Sequence, residues 1–225
     1  MAIVRAIEAY NITHAISSPI EHHAVLHTLE EMEKAGIVHL DLLRVDEKGN
    51  VDLTQLEELL SKNPKTFVSL MHANNEIGNL TDLKKVSALC EQFGAVFHSD
   101  TVQTMGHYAH DLGDLKIDFI TGAAHKFHGP KGVGFLYING RNKIKPLIYG
   151  GAQERNMRGG TENVYGIVGL AKALEIAYTE MEEHQNYIQS LKDYMKEQLQ
   201  AAIPDVRFNG EVDADKSLYT VLNVS

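Results

Sequence analysis

The sequence predicts an α/β fold in which a mostly parallel sheet is flanked by helices. Short apolar runs alternate along the chain with amphipathic segments at helical spacing, the pattern of repeated strand–helix units. Of 225 residues, 44% are apolar and 23% charged, enough to fill one large core beneath an ordinary polar exterior. Breaks at Ser17-Ser18-Pro19, Gly36 and Gly94 separate the runs.

In chain order, Ile3, Ala6 and Ile7 fall at helical spacing, so the chain opens on a helix. Strands are predicted at His14–Ser17, Val38–Leu43, Thr66–Met71, Ala95–His98, Phe119–Thr121 and Val133–Ile138. A helix from about Glu21 to Lys34 stops at Gly36. Asp52 caps a short helix at Leu53–Ser61. Thr81–Phe93 carries Leu83, Val86, Leu89, Cys90 and Phe93 on one stripe, and Gly94 ends it. A long helical pattern, with room for a bend, runs from Val164 to about Ala202, before Pro204. Val206–Phe208 and Leu218–Val224 read as further strands. The predicted organisation is residues 1–163 as one large domain, 164–203 as a connecting helical region, and 204–225 as the start of a second, smaller domain.

Composition excludes some functions. A formal charge of −9 argues against a nucleic-acid partner and gives no support to an anionic membrane surface. No apolar run approaches the ~20 residues of a membrane span. Cys90 is the only cysteine, so no intrachain disulfide forms, and a cytoplasmic location fits.

In open parallel sheets, ligands bind at the carboxyl ends of the strands. Four such ends carry chemistry: Glu21-His22-His23, His72-Ala73-Asn74-Asn75-Glu76, Ser99-Asp100-Thr101-Val102-Gln103 and Gly122-Ala123-Ala124-His125-Lys126. Lys126, beside His125 and the turn His128-Gly129-Pro130-Lys131-Gly132, reads either as a Schiff-base lysine or as a surface lysine in a Gly-rich turn. Asp100 reads first as a helix cap, and otherwise as the partner of a pyridinium nitrogen. His23 and His27 share a helix face, and His22, His72, His98 and Asp100 could in principle join them around zinc. There is no HExxH pattern, so no metal centre is expected. Cys90 lies on an apolar stripe and reads as core.

Five motifs then occur in one order: Ser18-Pro19-Ile20-Glu21-His22-His23-Ala24-Val25, Met71-His72-Ala73-Asn74-Asn75-Glu76-Ile77-Gly78, Phe97-His98-Ser99-Asp100-Thr101-Val102-Gln103, His125-Lys126-Phe127-His128-Gly129-Pro130-Lys131-Gly132-Val133-Gly134, and Gln153-Glu154-Arg155 through Gly160-Thr161-Glu162-Asn163. Together they resemble the NifS/IscS-type cysteine desulfurases, class V aminotransferase relatives among fold-type I pyridoxal 5'-phosphate (PLP) enzymes.

The resemblance implies the three-layer α/β/α large domain of that fold. It implies that Lys126 carries PLP and shuttles protons, His22 stacks on the pyridine ring, and Asp100 binds its nitrogen. Gln103 would hydrogen-bond the phenolic oxygen, with Asn75 beside it. His125 would contact the phosphate, and Thr161 would reach the phosphate of the other subunit of a homodimer. The implied reaction takes L-cysteine to L-alanine and passes sulfur, as an enzyme persulfide, to an acceptor or scaffold protein for iron–sulfur or thiocofactor assembly.

Departures are visible. The family's serine three residues before the lysine is Ala123 here, which removes one hydroxyl donor. The family's Gly/Ser-rich stretch reads Ala152, Asn156 and Gly159, and its proline after Glu-Asn-Val is Tyr165. The family's phosphate loop, persulfide cysteine and substrate-carboxylate arginine find no counterparts, so the chain reads as a large domain trimmed at both ends and inactive alone. The alternatives are another class V reaction, such as an aminotransferase or selenocysteine lyase, and a non-enzymatic metal-binding or oligomeric α/β domain.

Overall fold

Strand β1 (His14–Ser17) is buried at all four positions, as is β3 (Thr66–Ser69) beside it. A strand covered on both faces sits inside a sheet flanked by helices. In the computed structural model, which describes residues 1–225, helix α1 (Ala2–Tyr10) precedes β1, followed by α2 (His23–Lys34) and β2 (His39–Leu42). Helix α3 (Leu53–Lys62) leads to β3, and α4 (Leu83–Phe93) to β4 (Val96–Asp100). Strands β5 (Phe119–Ala123) and β6 (Gly134–Ile138) complete a six-stranded sheet of order β2-β1-β3-β4-β5-β6. All pairs are parallel except β5–β6.

Alternation along each strand builds the three layers. Ile16, Val68 and Ile120 face one core with Leu56, Leu60, Val86 and Cys90 from α3 and α4. Their neighbours Ala15, Phe67 and Phe119 face a second core with Ala6, Ile7, Val25 and Leu29 from α1 and α2. The predicted fold class is the observed one.

Helix starts are set by side-chain caps, which moves two boundaries. Asp52 accepts from the Thr54 and Gln55 backbone N–H groups, starting α3 where expected. Asp82 accepts from Lys85 N–H, so α4 begins at Leu83 and not Thr81. His22 Nδ1 accepts from Ala24 N–H at 3.1 Å, so α2 begins at His23 and Glu21 lies outside it.

Toward the C-terminus, a short turn α5 (Gln153–Asn156) precedes α6 (Val164–Thr179) and α7 (Met181–Ala202). The long helical pattern breaks at Glu180 (φ −105°, ψ 10°). Thr179 Oγ1 donates to the Glu175 carbonyl at 2.9 Å, a back-bond that bends helices. The predicted strand Leu218–Val224 is mostly something else. Only β7 (Phe208–Asn209) and β8 (Asn223–Val224) pair. Leu218 and Tyr219 are buried plugs, and Lys192 Nζ donates to Ser217 Oγ and to the Leu218 carbonyl at 2.8 and 3.0 Å.

The turn around β5 and β6 depends on close backbone approach. A Cβ on Gly134 would stand 2.5 Å from the Gly122 carbonyl oxygen, so only glycine lets β6 close against β5 there.

Candidate active site

A cavity of about 530 Å³ opens at the carboxyl edge of the parallel strands. That size and position are those of a small-molecule site in an open α/β sheet. Its wall includes His22 after β1, Asn75 after β3, Asp100 at the end of β4 and Gln103 after it, and His125 and Lys126 after β5. Thus six of the seven residues predicted from sequence meet in one space. Thr161, on an exposed loop before α6, is not among them.

Lys126 sits half-buried in a 3₁₀ turn (Ala124–Phe127) that follows β5 directly. Its place on the cavity wall separates it from an ordinary surface lysine. The turn is clamped from behind. His107 Nε2 lies 3.1 Å from the Lys126 carbonyl oxygen, and His107 Nδ1 lies 2.6 Å from Tyr219 Oη. The carbonyl can only accept, so Nε2 carries the proton and Tyr219 donates to Nδ1. Burial lowers the His107 pKa, favouring that neutral ring.

Asp100 is the last residue of β4 and no helix follows it, so it is not a helix cap. Its Oδ1 accepts from Val102 N–H at 2.9 Å, an Asx turn that aims the carboxylate. Burial raises its pKa, and the nearby His22 partly offsets this.

Glu21 is a participant to which the sequence assigned no role. It is buried beside His22, and one oxygen accepts from the N–H of Met71, which lines the cavity. Its other oxygen has no hydrogen-bond partner, and neither does the buried Ser18 Oγ. Burial pushes the Glu21 carboxyl up to about 8; the Met71 bond opposes this and the Asp100 charge adds to it. Burial thus favours the protonated, neutral form of Glu21. The signal available in sequence was a glutamate directly beside His22 after a buried strand.

His98 also lies against the cavity, held by Ser69 Oγ at 2.8 Å from Nδ1, and burial pushes its pKa down to about 4. The sequence considered it for zinc, but His22, His23, His27, His72, His98 and Asp100 do not converge. His23 and His27 face each other on exposed α2, while His72 turns to Thr104 and His110.

Ala2 and Ile3 of α1 also line the cavity. Ala123, also on the wall, offers no hydroxyl. An amine on Lys126, a carboxylate on Asp100 and the imidazoles of His22 and His125 on one wall suit an aromatic aldehyde with a basic ring nitrogen.

The aminotransferase class-V family model matches residues 4–225. A cysteine desulfurase IscS of Dictyoglomus turgidum is 44% identical over 197 residues, covering 88% of this chain and 50% of that protein. A cysteine desulfurase IscS of Clostridium botulinum is 42% identical over 212 residues, covering 94% and 53%. A solved NifS-like protein superposes with a TM-score of 0.92 at 36% identity, covering 99% of this chain and 60% of that one. DndA from Streptomyces lividans superposes with a TM-score of 0.86 at 32% identity, covering 100% and 63%. The chain spans about half the length of the curated relatives it matches.

Proposed function

We propose that this chain, which belongs to the aminotransferase class-V family, is the cofactor-binding portion of a PLP-dependent cysteine desulfurase. The observation that carries the reading is the convergence of Lys126, Asp100, His22, Asn75, Gln103 and His125 on one cavity at the sheet's carboxyl edge. When bound, PLP supplies an electron sink for breaking bonds at the substrate's α-carbon. Lys126 Nζ holds the cofactor and moves the proton. Asp100 keeps the ring nitrogen cationic through its carboxylate. His22, fixed at the α2 N-cap, covers the ring. Gln103 donates toward the ring oxygen with Asn75 beside it, and His125 donates toward the phosphate.

We assign residues 1–163 to the large domain, 164–203 to the connecting helices and 204–225 to the start of a smaller domain. Thr161 belongs to the site of a second subunit in this reading. Support comes from its exposure and from the apolar surface next to it: Val164, Tyr165 and Val168 are 59%, 92% and 62% exposed. The whole protein would work in the cytoplasm on L-cysteine, passing sulfur to an acceptor or scaffold protein. No helix here is long and apolar enough to cross a membrane.

Cys90 does not take the sulfur in this scheme. It is buried on α4, and desolvation raises its thiol far above the usual range, which keeps it protonated and inert. The intact protein given L-cysteine should therefore yield L-alanine and a persulfide, with Cys90→Ser turning over as the wild type does. A keto acid in place of alanine would instead make it an aminotransferase. Loss of turnover in Cys90→Ser would overturn the exclusion of Cys90.

Asp100→Ala should weaken PLP binding to this chain by roughly 10- to 100-fold, the worth of one hydrogen bond to a charged group. Titration of PLP absorbance checks it; unchanged affinity would remove Asp100 from the site.

A further inference from the structure

Three metal-ligating side chains meet at the opposite end of the sheet from the cavity. His14 opens β1 and His39 opens β2, and the two are paired in parallel register. Asp41, two residues on from His39, lies on the same face of β2. Asp41 Oδ2 is 2.7 Å from His14 Nε2, and Asp41 Oδ1 is 3.7 Å from His39 Nε2. All three donor atoms lie within 4.8 Å of one another. Zinc held tetrahedrally at about 2.0–2.1 Å needs ligands roughly 3.3 Å apart, a spacing within reach of donor atoms that all lie within 4.8 Å of one another.

The surrounding hydrogen bonds hold both rings in place. Thr66 Oγ1 donates to the Asn63 carbonyl at 2.8 Å, so it can only accept from His14 Nδ1, 3.2 Å away. His14 Nε2 faces the Asp41 carboxylate at 2.7 Å, so the ring is oriented at both nitrogens, with Thr66 Oγ1 behind it. Glu33 Oε1 faces the far nitrogen of His39, Nδ1, at 3.5 Å, and is fixed by accepting from Leu40 N–H at 2.8 Å. An acceptor behind each ring is the arrangement that orients histidines toward zinc.

We propose that His14, His39 and Asp41 bind one divalent zinc-type ion at the edge of the sheet, with water in the fourth position. Such an ion ties the edge strand β2 to β1, remote from the cofactor cavity. His39 is 70% exposed at its side chain, so the site is open to entry from solvent. The site is independent of the proposed PLP reading, because it shares no residue with the cavity.

The test is calorimetric titration of the metal-free, PLP-free chain with zinc alone, supported by the visible spectrum of the cobalt form. One zinc per chain is expected, with a tetrahedral cobalt band. His39→Ala and Asp41→Asn, both at accessible positions, should each weaken binding at least tenfold, and Glu33→Gln by about tenfold. Circular dichroism confirms that each variant is folded. A His23→Ala/His27→Ala double variant controls for the exposed histidine pair on α2 and should keep full affinity. Absence of saturable zinc, full affinity in folded His39→Ala and Asp41→Asn, or loss confined to the α2 variant would each overturn the site.

Discussion

Lys126→Ala should abolish the retention of PLP. Wild-type chain incubated with PLP and then dialysed is expected to keep a visible absorbance band, and the variant to keep none. The expectation rests on where the lysine sits. Its turn follows β5 without a linker, and His107 and Tyr219 hold the turn's carbonyl from behind. The amine is therefore presented to the cavity by rigid elements, and a covalent bond forms at a fixed place. Alanine leaves Asp100, His22 and His125 unchanged, so residual non-covalent binding is expected but is lost on dialysis. Lys131, on the same glycine-rich stretch, is outside the cavity wall, and Lys131→Ala should retain the band. A band surviving in Lys126→Ala would place the linkage elsewhere.

Glu21→Gln should change how stability depends on pH. The native carboxyl titrates near 8 and an unfolded one near 4.5, so between these values the native state binds the extra proton. Stability from this group is full below about pH 4.5 and is lost as pH rises through about 8. Glutamine copies the protonated form and carries no such slope. The variant should gain on the wild type as pH rises, by roughly 3 kcal/mol at pH 7 at about 1.4 kcal/mol per pKa unit. Urea denaturation of both proteins across pH 5 to 8.5 measures the difference. His98 and His72, pushed by burial to about 4 and about 3, contribute an opposite slope below about pH 6.5. They are present in both proteins and cancel in the comparison. Parallel profiles would mean that Glu21 is ionised in the native state.

Sequence was most informative where local rules and tertiary structure agree. Buried strands such as His14–Ser17 and Thr66–Ser69, and the capped helix after Asp52, follow directly from apolar runs and a cap residue. It was least informative where long-range packing decides. Leu218–Val224 is apolar enough for a strand, yet Lys192 and His107 capture Ser217, Leu218 and Tyr219 and hold them as a plug.

The same division runs through the site. Residues directly after strands, such as Asn75, Asp100 and Lys126, were readable because strand ends share an edge. His107 and Tyr219 were not, because their roles exist only through contacts 19 and 112 residues apart. Glu21 was visible as a residue but not as a buried acid, since its neutral state comes from desolvation beside Asp100. The His14–His39–Asp41 cluster was equally hidden, because only the β1–β2 register brings it together.

On this reading Lys126 carries the cofactor, and borohydride reduction of the chain with bound PLP, followed by proteolysis and mass mapping, locates the linkage. The expected result is one modified lysine per chain, in the peptide containing Lys126. Modification spread over surface lysines, or concentrated at another lysine, would contradict it.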